Sequence, residues 1–98
     1  MPYLKLAWSP NAILGIQRIY RFLVIKDHDA AKTAAVTIKK QAAILKKFPN
    51  AGRPAEDLEP EHKELLIPFG ASGYVLLYRF DGEQSVVTIL AARHQKEI

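Results

Sequence analysis

A chain of 98 residues with 49% apolar content and a formal charge of +4 fits one modest domain spanning residues 1–98 and argues against disorder. Cysteine is absent, which excludes a disulfide scaffold, a thiolate zinc site and a cysteine nucleophile. No apolar run approaches the roughly 20 residues of a membrane helix, and Met1 to Lys5 lack the layout of a signal peptide, so a soluble cytoplasmic protein without membrane contact is expected.

In chain order, residues 3–8 alternate enough for a strand. Ser9-Pro10 then reads as a helix start, with Ser as N-cap and Pro at the first helical position. The first helix is expected over Pro10–Lys26, with Ile13, Ile16, Tyr20, Leu23 and Val24 as its apolar stripe. Asp27-His28-Asp29 breaks it. Asp29 is expected to cap a second helix over residues 30–48, whose inner face runs from Ala31, Ala34 and Ala35 through Ile38, Ala42 and Leu45 to Phe48. So short a connection predicts an antiparallel helix pair.

Pro49 cannot continue the helix, and residues 50–60, rich in Gly, Pro and acids, read as a surface loop. From His62 the period changes to two, with Leu65, Ile67 and Phe69 on one side and Glu64 and Leu66 on the other. Residues 70–73 form a turn. Residues 74–80 and 85–93 are strands apolar on both faces, joined by the hairpin signal Asp81-Gly82. The expected fold class is α+β in the order β-α-α-β-β-β, an antiparallel helix hairpin packed on one face of a mostly antiparallel sheet.

Few chemical motifs stand out. His28, His62 and His94 have no metal-ligand spacing, so no metal is expected. Ser9, Ser72 and Ser85 suggest no triad, since Ser9 is a cap and the others lie at turns. No Gly-rich phosphate loop is present and no cofactor is expected. Fourteen Lys and Arg against ten acids suit an acidic protein partner or weak attraction to nucleic acid, and alone decide neither.

The series Gly52-Arg53-Pro54, Leu65-Leu66-Ile67-Pro68-Phe69-Gly70, Gly73-Tyr74-Val75-Leu76-Leu77-Tyr78-Arg79, Asp81-Gly82 and Ile89-Leu90-Ala91-Ala92-Arg93-His94-Gln95 resembles the ParE branch of the RelE/ParE toxins. The element order matches that family over the whole chain. The resemblance implies the toxin of a bacterial type II toxin–antitoxin pair, found on chromosomes and stabilised plasmids, held inactive by a partly disordered cognate antitoxin. RelE-like members are ribosome-dependent mRNA endoribonucleases. ParE-like members poison DNA gyrase by protein contact.

RNA cleavage needs an activated 2′-hydroxyl, a proton for the leaving oxygen and cations around the phosphate. RelE-like enzymes supply these with Arg or Lys on the middle strands and a His or Tyr near the C-terminus. Where they carry an arginine ahead of the Tyr-Arg pair, this chain has Val75. Arg79, Arg93, His94 and Glu56 remain as candidates for a ribonuclease site. Their bland readings are an ion pair for Arg79 and a solvated strand end for His94, while Tyr74 and Tyr78 read as core or sheet cover. Three hypotheses stay open: a gyrase poison, an mRNA endoribonuclease, and a decayed toxin that only binds antitoxin. The expected antitoxin surface comprises Ile16, Tyr20, Leu23, Lys39 and Lys46. The expected target surface comprises Arg53, Arg93, His94 and Gln95. No sequence-specific DNA binding by this chain alone is expected.

Overall fold

A computed structural model describes residues 4–70 and 72–96. The elements are β1 (Lys5–Trp8), α1 (Pro10–Lys26), α2 (His28–Ile44), β2 (Arg53–Pro54), β3 (His62–Phe69), β4 (Ser72–Asp81) and β5 (Val86–His94). The expected strand start at Tyr3 lies outside the described residues.

Ser9 starts α1 as its sequence predicts. Its Oγ accepts from the Ala12 N–H and donates to the Leu90 carbonyl, both at 3.1 Å, while Asn11 Nδ2 donates to the same carbonyl at 3.1 Å. That carbonyl is available because Leu90 is an extra residue in β5: Leu77 faces Ala91 and Tyr78 faces Ile89. The bulge thus ties the start of α1 to the sheet.

The junction between the helices is tighter than expected. Asp27 alone, with φ −158° and ψ 108°, ends α1 and begins α2. Its N–H donates to Leu23 O at 2.7 Å, and its carboxylate accepts from the N–H groups of Asp29 and Ala30. Asp29, expected as the cap, instead lies in the first turn of α2, where its charge complements the helix dipole. At the other end α2 stops at Ile44 rather than residue 48. Leu45 still reaches the core, but Phe48, expected on the inner face, is 60% exposed.

The helices fold back on each other, and α1 packs on β5. Most of the residues that make this contact are small. α1 buries Ala12, Gly15 and Ile19, and α2 buries Ala31, Ala34, Ile38 and Ala42. The stripe expected for α1 is therefore displaced: Ile13 is 45% exposed, and Ile16, Tyr20, Leu23 and Val24 are half-buried at the margin. Gly15 gives the reason, since a Cβ there would overlap the Ala92 carbonyl oxygen. Only a glycine-centred face lets α1 lie this close to β5.

The sheet order is β1-β5-β4-β3-β2. β1 runs parallel to β5, and the other three pairings are antiparallel. β4 is central, and four consecutive residues, Gly73 to Leu76, are buried, as a strand covered on both faces requires. Its Tyr74, Leu76 and Tyr78 join Ile67, Ile89 and Ala92 in the core beneath the helices. The turn expected over residues 70–73 is shorter, because pairing continues to Phe69 opposite Ser72; Ala71 lies outside the described residues. At the other hairpin the Asp81 carboxylate accepts from the N–H groups of Glu83 and Gln84, and Ser85 closes the turn at φ +56°.

The segment read as loop contains β2, with Arg53 opposite Glu64 and Pro54 opposite Lys63. Tyr78 holds it: its hydroxyl donates to Pro49 O at 2.7 Å and accepts from Gly52 N–H at 3.0 Å. A Cβ on Gly52 would sit 2.6 Å from Glu64 O and 2.7 Å from the Tyr78 oxygen, so glycine is required at this position. The Gly-Arg-Pro motif is thus a mooring of the edge strand onto the core.

Candidate functional site

Side chains alternate across β3, β4 and β5, so neighbouring residues serve different surfaces. The face turned away from the helices carries Arg53, Glu64, Arg79 and Arg93. Glu64 stands between two arginines, with Oε1 at 3.3 Å from Arg53 Nε and Oε2 at 3.6 Å from Arg93 Nη2. These residues, with Pro54 and Glu56, line a polar hollow of about 360 Å³. Arg79 lies elsewhere. It is opposite His62 and Thr88, four residues along β4 from Val75, which faces Arg93. At ~3.3 Å per residue that separates Arg79 from Arg93 by roughly 13 Å. Arg79 faces Glu61 at 4.0 Å and Asp81 at 3.7 Å, the ion pairing that its bland reading anticipates. Val75 is buried between Leu66 and Arg93 and contributes no charge.

His94 belongs to the opposite surface. It pairs with Tyr74 across the strands and meets that ring edge-on at 5.6 Å between centroids. Its Nδ1 accepts the Lys96 N–H at 3.1 Å, and its Nε2 lies 2.8 Å from Ser72 Oγ. Accepting at Nδ1 leaves the proton of the neutral ring on Nε2, which then donates to Ser72. Gln95 N–H donates to Gly73 O at 2.8 Å, so the end of β5 is tied to the start of β4. Of the four candidates for a ribonuclease site, Arg93 and Glu56 meet around Glu64, Arg79 is displaced along the sheet, and His94 is on the helix side.

Beside His94 a cavity of about 380 Å³ opens between α1 and the ends of β4 and β5. Ile19, Phe22, Leu23 and Tyr74 form its apolar walls, and Arg18, His94 and Lys96 its polar lining. Burial pushes the phenol of Tyr74 above its ordinary value of 10.0. Burial also raises Tyr78, with the Gly52 N–H bond opposing. A second hollow of about 390 Å³ lies on the helix pair, where Ile16, Tyr20 and Arg21 of α1 face Ala35 and Lys39 of α2. Ile16, Tyr20 and Lys39 of the expected antitoxin surface share this hollow. Leu23 belongs to the cavity near His94, and Lys46 lies beyond α2 in the following turn.

Sequence reasoning missed Glu64 as the bridge between two arginines, and it missed Arg18, Phe22 and Lys96 beside His94. The spacing Arg18–Phe22 and Ile19–Leu23 is a legible paired i,i+4 pattern. That Tyr74 and His94 complete the cavity depends on strand register. Among the described residues no cluster of three or more His, Asp or Glu is placed to hold a metal ion. Among these residues no helix is long and apolar enough to cross a membrane.

Two helices on one side of a five-stranded, mostly antiparallel sheet form the fold of the ParE and RelE toxins of type II toxin–antitoxin systems. The family of the ParE toxin of the type II toxin-antitoxin system parDE matches residues 6–98, and the chain belongs to it. The protein is therefore a toxin of the ParE/RelE superfamily. The fold is similar to the chromosomal ParDE system from P. aeruginosa, at TM-score 0.75 and 20% identity over 94% of this chain and 96% of that one. It is also similar to the RelBE2 toxin–antitoxin complex from Mycobacterium tuberculosis, at TM-score 0.67 and 19% identity over 96% and 100% of the two chains. A mutant of E. coli RelE in the free state aligns at TM-score 0.69 and 16% identity over 97% and 86%. No curated protein matches the sequence.

Proposed function

We propose that this toxin acts in the cytoplasm by contact with DNA gyrase, without a catalytic step of its own, and is neutralised by a cognate antitoxin. One observation carries the preference over mRNA cleavage. His94, the candidate acid or base, is separated by the sheet from Arg79 and Arg93, and carboxylates face both arginines within 4.0 Å. Phosphodiester cleavage needs a proton-transfer group and cations converging on one phosphate. The ParE family membership favours the same target.

The target surface in this reading is the end of the sheet, where Arg53 and Arg93 converge on Glu64 and Gln95 follows the strand; His94, expected on the same surface, lies on the helix side and is not part of it. The antitoxin covers the helix pair. Similar folds occur in toxin–antitoxin complexes, and residues 10–47 carry eight Lys and Arg against two Asp, a surface suited to an acidic chain that folds on binding.

The test is expression without antitoxin. Filamentation and DNA damage with bulk translation intact at early times are expected. Rapid arrest of protein synthesis, with mRNA cut in the ribosomal decoding site, would overturn the proposal in favour of the endoribonuclease. Antitoxin binding without either effect would indicate a decayed toxin.

A further inference from the structure

The cavity beside His94 joins apolar walls to a cationic rim. Ile19 and Leu23 stand one turn apart on α1, and Phe22, more than half exposed, and Tyr74 of β4, almost fully buried, complete the apolar wall. Arg18 and Lys96 sit at the edge, and none of the described lining residues is acidic. Its volume of about 380 Å³ is large enough for a buried anchor, near the lower end of the ~300–1,000 Å³ range of ligand sites.

The rim is assembled before any partner arrives. Gln95 and Lys96 are placed by backbone bonds to Gly73 O and His94 Nδ1, and the His94 ring is held against Ser72 Oγ. A site that needs no ordering loses less entropy on binding. The apolar surface also continues past the opening, since Phe22 is 59% exposed and Ile25 86%.

We propose that this cavity receives an apolar side chain flanked by a carboxylate, supplied by an acidic segment of the antitoxin. The proposal rests on the antitoxin reading above and adds the anchor point. Charge complementarity selects the occupant. A second copy of the toxin would bring its own basic helices against Arg18 and Lys96. A nucleic acid would leave the apolar walls without a partner. A short peptide segment with one apolar anchor and a neighbouring Asp or Glu satisfies both parts of the site.

The aromatic sulfonate 1-anilinonaphthalene-8-sulfonate has the same two-part chemistry and serves as the probe. Fluorescence titration of the full free toxin is expected to show one saturable site. Lys96→Glu, at a strand end away from the core, should weaken it roughly tenfold, the scale of one hydrogen bond to a charged group. Leu23→Trp, which fills the cavity, should abolish it. Lys5→Glu, an equal charge change on β1, should leave it unchanged, and circular dichroism reports whether each variant folds. The intact toxin–antitoxin complex should not bind the dye, and Lys96→Glu should weaken antitoxin binding by a similar factor. No saturable binding to free toxin, or dye binding retained in the complex, would overturn this proposal alone. A wild-type toxin that binds no antitoxin would overturn the antitoxin reading with it.

Discussion

The helical layer and the sheet use their residues in opposite ways. In the sheet, large side chains point inward: Tyr74, Leu76, Tyr78, Ile67 and Ile89 are all buried. In the helices the inward face is mostly small, Ala12, Gly15, Ala31, Ala34 and Ala42 with Ile19 and Ile38 as its large members, while Ile13, Leu14, Phe22, Ile25, Val36 and Ile44 remain exposed. Charge divides along the same line. Residues 10–47 have eight basic groups against two acids, and the remaining residues have six against eight. Burial of large side chains dominates folding free energy, so stability resides mainly in the sheet. The helical layer retains apolar and basic surface, the composition expected of a partner-binding face.

Substitutions in the two layers break or sharpen this contrast. The largest effect is expected at the centre of the sheet. Leu76 is 0% exposed, and Leu76→Ala should cost about 2–5 kcal/mol by chemical denaturation. A cost below about 1 kcal/mol would mean that the core lies elsewhere. Gly15→Ala should come next, at about 1–3 kcal/mol, because its methyl overlaps the Ala92 carbonyl and pushes α1 off β5. A neutral Gly15→Ala would contradict the close helix–sheet approach.

Tyr78→Phe leaves Pro49 O and Gly52 N–H without their partner and should cost about 1–3 kcal/mol. It should also change the alkaline limb of the stability curve. Burial raises Tyr74 and Tyr78 above 10.0, so above that pH the unfolded chain loses its phenol protons first and the fold is progressively destabilised. Stability is unaffected by this below pH 10, and Tyr78→Phe should flatten the loss above it. The smallest effect on folding is expected in the helical layer. Ile25, 86% exposed, should tolerate Ile25→Ser within about 0.5 kcal/mol. The same change should weaken antitoxin binding, measured by calorimetry. If it destabilised the free toxin by more than about 1 kcal/mol, the division of labour between the layers would fail.

The sequence carried the start of α1 well, because Ser9-Pro10 is a local signal, but it placed the cap of α2 at Asp29 rather than Asp27. The element order and the period change at His62 are local too. The rotation of α1 was not legible. Counting large apolar residues selects Ile13 and Ile16, whereas close packing on a strand selects Ala12 and Gly15, and that choice depends on a β5 backbone some eighty residues away. The end of α2 was overextended for a related reason: Phe48 keeps the helical spacing but lies beyond Ile44, where the chain has already turned. In the site, Arg79, Arg93 and His94 are all visible as chemistry-bearing residues. Adjacent residues of a strand point to opposite faces, and the bulge at Leu90 shifts the register besides, so sequence proximity did not predict which of them share a surface.

The central claim is that toxicity requires contact but no proton transfer. A supercoiling and cleavage-complex assay with purified gyrase, comparing the wild-type toxin with His94→Ala, tests it most directly. Both proteins are expected to inhibit supercoiling, with His94→Ala retaining activity within about tenfold; loss of a general acid or base typically costs on the order of 100-fold or more. No inhibition by either protein, together with ribosome-dependent mRNA cleavage that disappears in His94→Ala, would contradict the account.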